Sequence, residues 1–143
     1  MSEAKVLVVD DEKEFLDSIS ERMENRGYNV ETAASGPEAL KKLDTESFDA
    51  IILDFMMPEM DGLETLRRIR ENHPELQVIL LTGHATLDKG VEAIKLGAMD
   101  FLEKPAQIEL LTAKIKEAKA KRMVLVQEKH EKAIQEVLTR KGW

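Results

Sequence analysis

The sequence predicts an α/β domain: a parallel sheet with helices covering both faces. Two observations predict it. Five strand-like apolar runs alternate with five helix-like stretches, the pattern of crossover connections between parallel strands. Four of the runs also lead into residues with chemistry. Val6 to Val9 ends in Asp10 and Asp11, Ala50 to Leu53 in Asp54, and Val78 to Leu81 in Thr82. Met99 to Leu102 leads to Lys104 and Pro105. Ligand groups of open parallel sheets sit beyond the carboxyl ends of the strands. Three carboxylates, a hydroxyl and an ammonium are therefore expected at one small site.

The elements follow in order. Residues 4–9 read as a buried strand. Residues 12–26 read as a helix, with Phe15, Ile19 and Met23 at i, i+4 and i+8 and Gly27 as its stop. Residues 28–33 form a second strand, with polar residues interleaved as near a sheet edge. Ser35 caps a helix with Pro37 in its first turn, running to about Thr45. Residues 50–55 are the third strand. Asp61-Gly62 precedes a helix over 63–72, and His73-Pro74 breaks the chain. Residues 77–82 are the fourth strand and 87–96 the fourth helix, ended by Gly97. Residues 99–103 are a short fifth strand.

After Pro105 there is no Pro or Gly until Gly142, and one long helix is expected from about Gln107 to Arg140. It is about twice the length needed to cover the sheet. Its apolar stripe changes face. The first stripe is Leu111, Ile115 and Ala118, and its continuation through Arg122, Leu125 and Lys129 dies out. A second stripe of Met123, Val126, Ile134 and Val137, with His130 between, is rotated by about 100°. A helix that leaves its own domain to meet something else has this pattern. The expected division is a globular domain over 1–121 and a helical extension over 122–143.

The 143 residues fit one domain. There is no cysteine, hence no disulfide and no thiolate metal site, which suits a reducing cytoplasm. The start of the chain does not read as a signal peptide, and no apolar run approaches the ~18 residues of a membrane span. The net charge of −7 argues against general nucleic-acid affinity. Residues 1–103 carry 11 basic and 23 acidic side chains; residues 104–143 carry 10 and 5. A basic helix end is ordinarily a solvated one, with a docking surface as the alternative.

Asp54, at the end of a buried strand, has the placement of a carboxylate nucleophile toward phosphorus. Both reactants are anionic, so a cation is needed. Mg²⁺ needs only one or two carboxylates besides its waters and the phosphate, and Asp10 and Asp11 fit that part. Taken alone, Asp10-Asp11 is equally a helix cap and Asp54 a turn residue. Taken together, the functional reading prevails. Clustered carboxylates raise one another's proton affinity; Lys104 offsets this and binds a phosphoryl oxygen as a point charge. Thr82 has a hydroxyl to donate to the same group.

These motifs resemble one family. Val8-Val9-Asp10-Asp11, the stretch from Leu53-Asp54 to Asp61-Gly62, Leu81-Thr82-Gly83-His84-Ala85, and Phe101-Leu102-Glu103-Lys104-Pro105 together look like a receiver domain of bacterial two-component response regulators, over residues 4 to about 120. The resemblance implies a CheY-like, flavodoxin-like doubly wound five-stranded sheet of order 2-1-3-4-5. It implies Asp54 as phosphoacceptor from a sensor histidine kinase. Asp11 and Asp54 would bind Mg²⁺ through their side chains, Met56 through its backbone carbonyl, and Asp10 through a metal-bound water. Thr82 and Lys104 would contact the phosphoryl oxygens, and Lys104-Pro105 would be cis, as Pro tolerates. Thr82 and Phe101 match the switch pair. Phe101 lacks the phenol hydroxyl of many relatives, which predicts a weaker switch. Met56 and His84 match positions flanking the hydrolytic water. Met57, Met60 and Met99 are expected to pack in loops and core.

The leading expectation is a phosphorylation-controlled interaction module. It catalyses its own phosphorylation and slow dephosphorylation, has no separate substrate, binds no DNA directly, and is read by an unknown downstream protein. The reading surface would comprise the helix from Leu87 to Leu96, the strand from Met99 to Glu103 and the start of the last helix. A homodimer through that face or through the C-terminal helix is a second expectation. A receiver fragment of an ATPase-type transcriptional activator is a third, because the stretch from Thr82 to Pro105 most resembles receivers of that kind. An aspartyl-phosphate phosphatase would carry an acid/base aspartate at position 56, where Met stands. A nucleotide or flavin domain would want a Gly-rich first turn, where the chain is acidic.

Overall fold

The computed structural model describes residues 4–83 and 86–142. The strands are β1 Lys5–Val9, β2 Asn29–Ala33, β3 Ala50–Leu53, β4 Gln77–Thr82 and β5 Asp100–Glu103. The helices are α1 Lys13–Glu24, α2 Gly36–Thr45, α3 Gly62–Asn72, α4 Leu87–Lys95 and α5 Ile108–Arg140. All strand pairs are parallel, in the order β2-β1-β3-β4-β5. The sheet is the doubly wound one the sequence predicts.

Alternate residues of the central strands feed two cores, as period-2 geometry requires. Leu7, Val9, Ile51, Leu53, Val78 and Leu80 pack with apolar residues of α2, α3 and α4. Val6, Val8, Ala50, Ile52, Ile79 and Leu81 pack with α1 and α5. Every residue of β3 and β4 is buried, as expected of strands covered on both faces. β2, at one edge, is half-buried with Asn29 exposed.

The ends of elements move slightly from their expected positions. α1 stops at Glu24, and the Arg26 and Gly27 N–H groups donate to Met23 and Glu24 carbonyls at 2.9 and 3.0 Å. Gly27 has φ of 90°, a conformation glycine adopts without a Cβ penalty. Tyr28 belongs to this turn rather than to β2, its N–H donating to Met23. The inward face of α1 is Leu16, Ile19 and Met23. Phe15, expected on that face, is only half-buried and stands at the helix end nearest the carboxyl edge of the sheet. Met57 is buried and Met99 half-buried, both packing in the cores.

α5 buries Ile108, Leu111, Ile115 and Ala118. Arg122 ties it to the sheet side of the domain, Nη1 lying 3.4 Å from Asp49 Oδ1. Asp49 also accepts the Lys5 N–H at 2.9 Å. Beyond Arg122 the helix continues with Met123, Val124, Ile134 and Val137 exposed. At 1.5 Å per residue its 33 residues extend about 50 Å. No described helix is long and apolar enough to cross a membrane.

Candidate functional site

Sheet register brings the acidic residues together. The Asp10 N–H donates to the Ala33 carbonyl, and the Asp54 N–H to the Val9 carbonyl at 2.9 Å. The two aspartates therefore leave adjacent strands at one edge. Asp10, Asp11 and Asp54 each offer a carboxylate oxygen within 4.8 Å of the others. Asp10 and Asp54 are buried and Asp11 is exposed. α1 has Glu12, and neither aspartate, as its N-cap residue. It starts after Glu12 with no side-chain capping bond, although Asp10 Oδ1 accepts the Glu12 N–H at 2.9 Å.

Lys104 reaches this cluster from the end of β5. Its ammonium donates to Asp10 Oδ2 at 2.5 Å and lies 3.8 Å from Glu12 Oε1. It also sits 4.0 Å from the centroid of the Phe15 ring. The Lys104-Pro105 peptide is cis. Thr82 is fully buried at the end of β4. Burial pushes the Asp54 carboxyl above the usual aspartate range, and the nearby Asp10 charge pushes the same way. Lys104, the Thr82 hydroxyl and the Phe55 backbone pull it back. Desolvation and a like charge thus outweigh the stabilising partners. An all-oxygen, mostly carboxylate donor set of this kind suits a hard divalent cation such as Mg²⁺.

The loop after Asp54 is held by close backbone approach. Gly62, the first residue of α3, donates its N–H to the Phe55 carbonyl at 2.8 Å. A Cβ there would lie 2.5 Å from the Asp54 carbonyl oxygen and 2.8 Å from Phe55 Cα. Asp61 caps α3, accepting the Glu64 N–H at 2.9 Å. Met56, two residues past Asp54, has a half-exposed side chain (47 %). Lys89, in the first turn of α4, stands over the Phe55 ring at 4.6 Å.

Phe101 is half-buried, packing on one core. Its ring also borders an open cavity of about 660 Å³ lined by Leu87, Gly90, Val91 and Ile94 of α4. A Cβ on Gly90 would come 3.3 Å from that ring. Lys114 of α5 binds Asp100 at 2.9 Å on the neighbouring strand.

Asp10, Asp11, Asp54, Thr82 and Lys104, read from the sequence as one site, thus lie at one edge of the sheet. Phe101 lies on the α4 side of it. His84 lies outside the described residues. Phe15, Gly62 and Lys89 were not singled out. Phe15 carries the signature of an ordinary core position, and the close approach at Gly62 exists only once α3 is folded onto Phe55. No sequence signal marks the Lys89 contact.

A family model described as the response regulator receiver domain matches residues 6–116. A putative response regulator NtrX-like protein of Rickettsia felis is 38 % identical over 120 residues, covering 82 % of this chain and 25 % of that protein. The chain therefore spans about a quarter of the length of that curated relative. A receiver domain protein from Clostridium thermocellum superposes with TM-score 0.80 at 38 % identity, covering 85 % of this chain and 98 % of that one. The beryllofluoride-activated NtrC4 receiver domain dimer, solved in solution, gives TM-score 0.78 at 43 % identity, covering 82 % and 98 %.

Proposed function

Because the chain belongs to the response regulator receiver family, we propose that Asp54 accepts a phosphoryl group from a sensor histidine kinase and that this changes a protein-binding surface. One observation carries the reading: three carboxylates converge within 4.8 Å, with an ammonium on Asp10 and a buried hydroxyl at the end of β4. A structural cluster would not concentrate negative charge around a carboxyl whose proton affinity burial already raises.

An Asp54 carboxylate oxygen bonds to phosphorus while the donor's phosphorus–nitrogen bond breaks. The departing imidazole keeps the electron pair and takes a proton from solvent. Asp11, Asp54 and the Met56 backbone carbonyl would hold Mg²⁺, with Asp10 acting through a bound water. Mg²⁺ would supply the positive charge that lets an anionic nucleophile approach an anionic phosphoryl group. Thr82 and Lys104 donate to the phosphoryl oxygens, the ammonium as a charge-assisted bond. Met56 brings no acid or base beside Asp54, which favours a persistent phosphoryl group and slow self-dephosphorylation over turnover of a separate substrate.

Residues 1–121 form the responding unit and 122–143 an extension. The state is read through protein contact at the face of α4, β5 and the start of α5, with Phe101 and Thr82 as the moving pair. No direct DNA contact is assigned to these residues, and the setting is cytoplasmic. A second reading is favoured by the Rickettsia relative, only 25 % of which is covered by the match. In it, the chain is the receiver of a larger ATPase-type transcriptional activator; a constitutive dimer through the exposed stripe of α5 is a separate alternative.

The test is incubation with acetyl phosphate and Mg²⁺, followed by intact mass and light scattering. The proposal expects one added phosphoryl group, lost when EDTA replaces Mg²⁺. An unchanged mass at saturating donor contradicts it.

A further inference from the structure

Among the described residues, the Lys104 ammonium meets two carboxylates and one aromatic ring at close range. Asp10 Oδ2 accepts its N–H at 2.5 Å and Glu12 Oε1 stands 3.8 Å away. The ring is that of Phe15, its centroid 4.0 Å from the ammonium. An ammonium within ~6 Å of a ring centroid is held by the ring quadrupole, more strongly where water is thin. The Lys104 side chain is only 16 % exposed. Phe15 is fixed in turn. It lies on α1, one residue before Leu16, and packs against the core that includes Ile19, Ile108 and Leu111.

We infer that Phe15 is the positioning residue for Lys104, an aromatic shelf that keeps the ammonium at the site while its anionic partner changes. This rests on the phosphoacceptor reading above. To bind a phosphoryl oxygen, Lys104 must release Asp10 in whole or in part. A carboxylate shelf would compete with the phosphoryl group for the same charge. The ring does not: it attracts the ammonium from one side, fences the four-carbon stem, and leaves N–H donors free on the other. Lys104 then exchanges partners without swinging into solvent, which lowers the ordering cost of binding.

The experiment is a beryllofluoride titration of the full chain with saturating Mg²⁺, followed by ¹⁹F NMR. The variants are Phe15→Leu, Phe15→Tyr, Lys104→Ala and the Phe15→Leu/Lys104→Ala pair. Leu keeps apolar volume and removes the ring; Tyr keeps the ring. Phe15→Leu is expected to weaken beryllofluoride binding about threefold to tenfold, the range of a partly desolvated cation–π contact. Phe15→Tyr should bind as the parent does. In the Lys104→Ala background, Phe15→Leu should add nothing. Equal losses from Leu with and without Lys104, or losses from Tyr and Leu alike, would show a packing role and overturn the inference. Unchanged binding by Phe15→Leu would do the same. Should Phe15→Leu fail to fold, Phe15→Met is read in the same way. A parent chain that binds no beryllofluoride overturns the phosphoacceptor reading itself, whereas a parent that binds, with Leu unchanged, overturns only the shelf.

Discussion

Lys104 and Asp10 are joined by an ammonium–carboxylate bond of 2.5 Å across 94 residues of sequence. The bond ties the last strand of the sheet to the first, over the strands that carry Asp54 and Thr82. Asp10's side chain is 1 % exposed, so the pair is largely withdrawn from solvent. Removing one member of a buried pair leaves the other uncompensated. Lys104→Met is expected to destabilise the metal-free protein by about 2 kcal/mol at neutral pH. Urea denaturation of the two proteins checks this, and Mg²⁺ should narrow the difference.

Asp54→Asn should have the opposite sign. The Asp54 carboxyl lies above its ordinary value near 3.8, first from desolvation and then from Asp10. Between that ordinary value and the raised native one, the folded state binds more protons than the unfolded. Stability therefore falls as pH rises through this window. The ionised group costs stability in full above the native value and nothing below the unfolded value. Asp54→Asn should be more stable than the parent at pH 7.5 without metal, and the gain should shrink as pH falls toward 4. Paired urea titrations at several pH values measure it.

Gly62→Ala places a Cβ 2.5 Å from the Asp54 carbonyl oxygen. The obstacle is backbone, so the loop must move. A loss of about 1–3 kcal/mol is expected, typical of forced overpacking, together with slower labelling by acetyl phosphate. Calorimetry and the labelling rate report the two effects separately.

Gly90→Ala should stabilise. Glycine inside a helix costs about 0.5–1 kcal/mol relative to alanine. The neighbour a Cβ would meet is the Phe101 ring at 3.3 Å, which borders an open cavity and has room to shift. A gain of about 0.5 kcal/mol in thermal or urea unfolding is expected. A loss would mean that the ring is held firmly where it stands.

Much of this fold is legible because each strand is short, apolar and followed by punctuation. Val78 to Leu81 before Thr82 and Ala50 to Leu53 before Asp54 needed no tertiary information. The gathering of Asp10, Asp54, Thr82 and Lys104 was legible because parallel topology sends every strand's carboxyl end to one edge. The roles of Phe15 and Gly62 were not. Phe15 obeys helical periodicity as a core residue does, and only the arrival of Lys104 from a distant strand gives its ring a second use. Gly62 looks like a helix start, and its constraint is a contact with Phe55 that no local pattern encodes. The change of face in α5 after Ala118 was legible from Arg122 onward. The Arg122–Asp49 tie depends on a loop far away in sequence.

The most direct measurement is chemical mapping of the acyl phosphate. The chain would be labelled with acetyl phosphate and Mg²⁺, reduced with borohydride, digested and sequenced by mass spectrometry. Reduction converts a phosphorylated aspartate to homoserine. The account predicts homoserine at position 54 alone, none with EDTA, and none in Asp54→Asn. Homoserine at position 10 or 11 in the parent, or none at all, would contradict it.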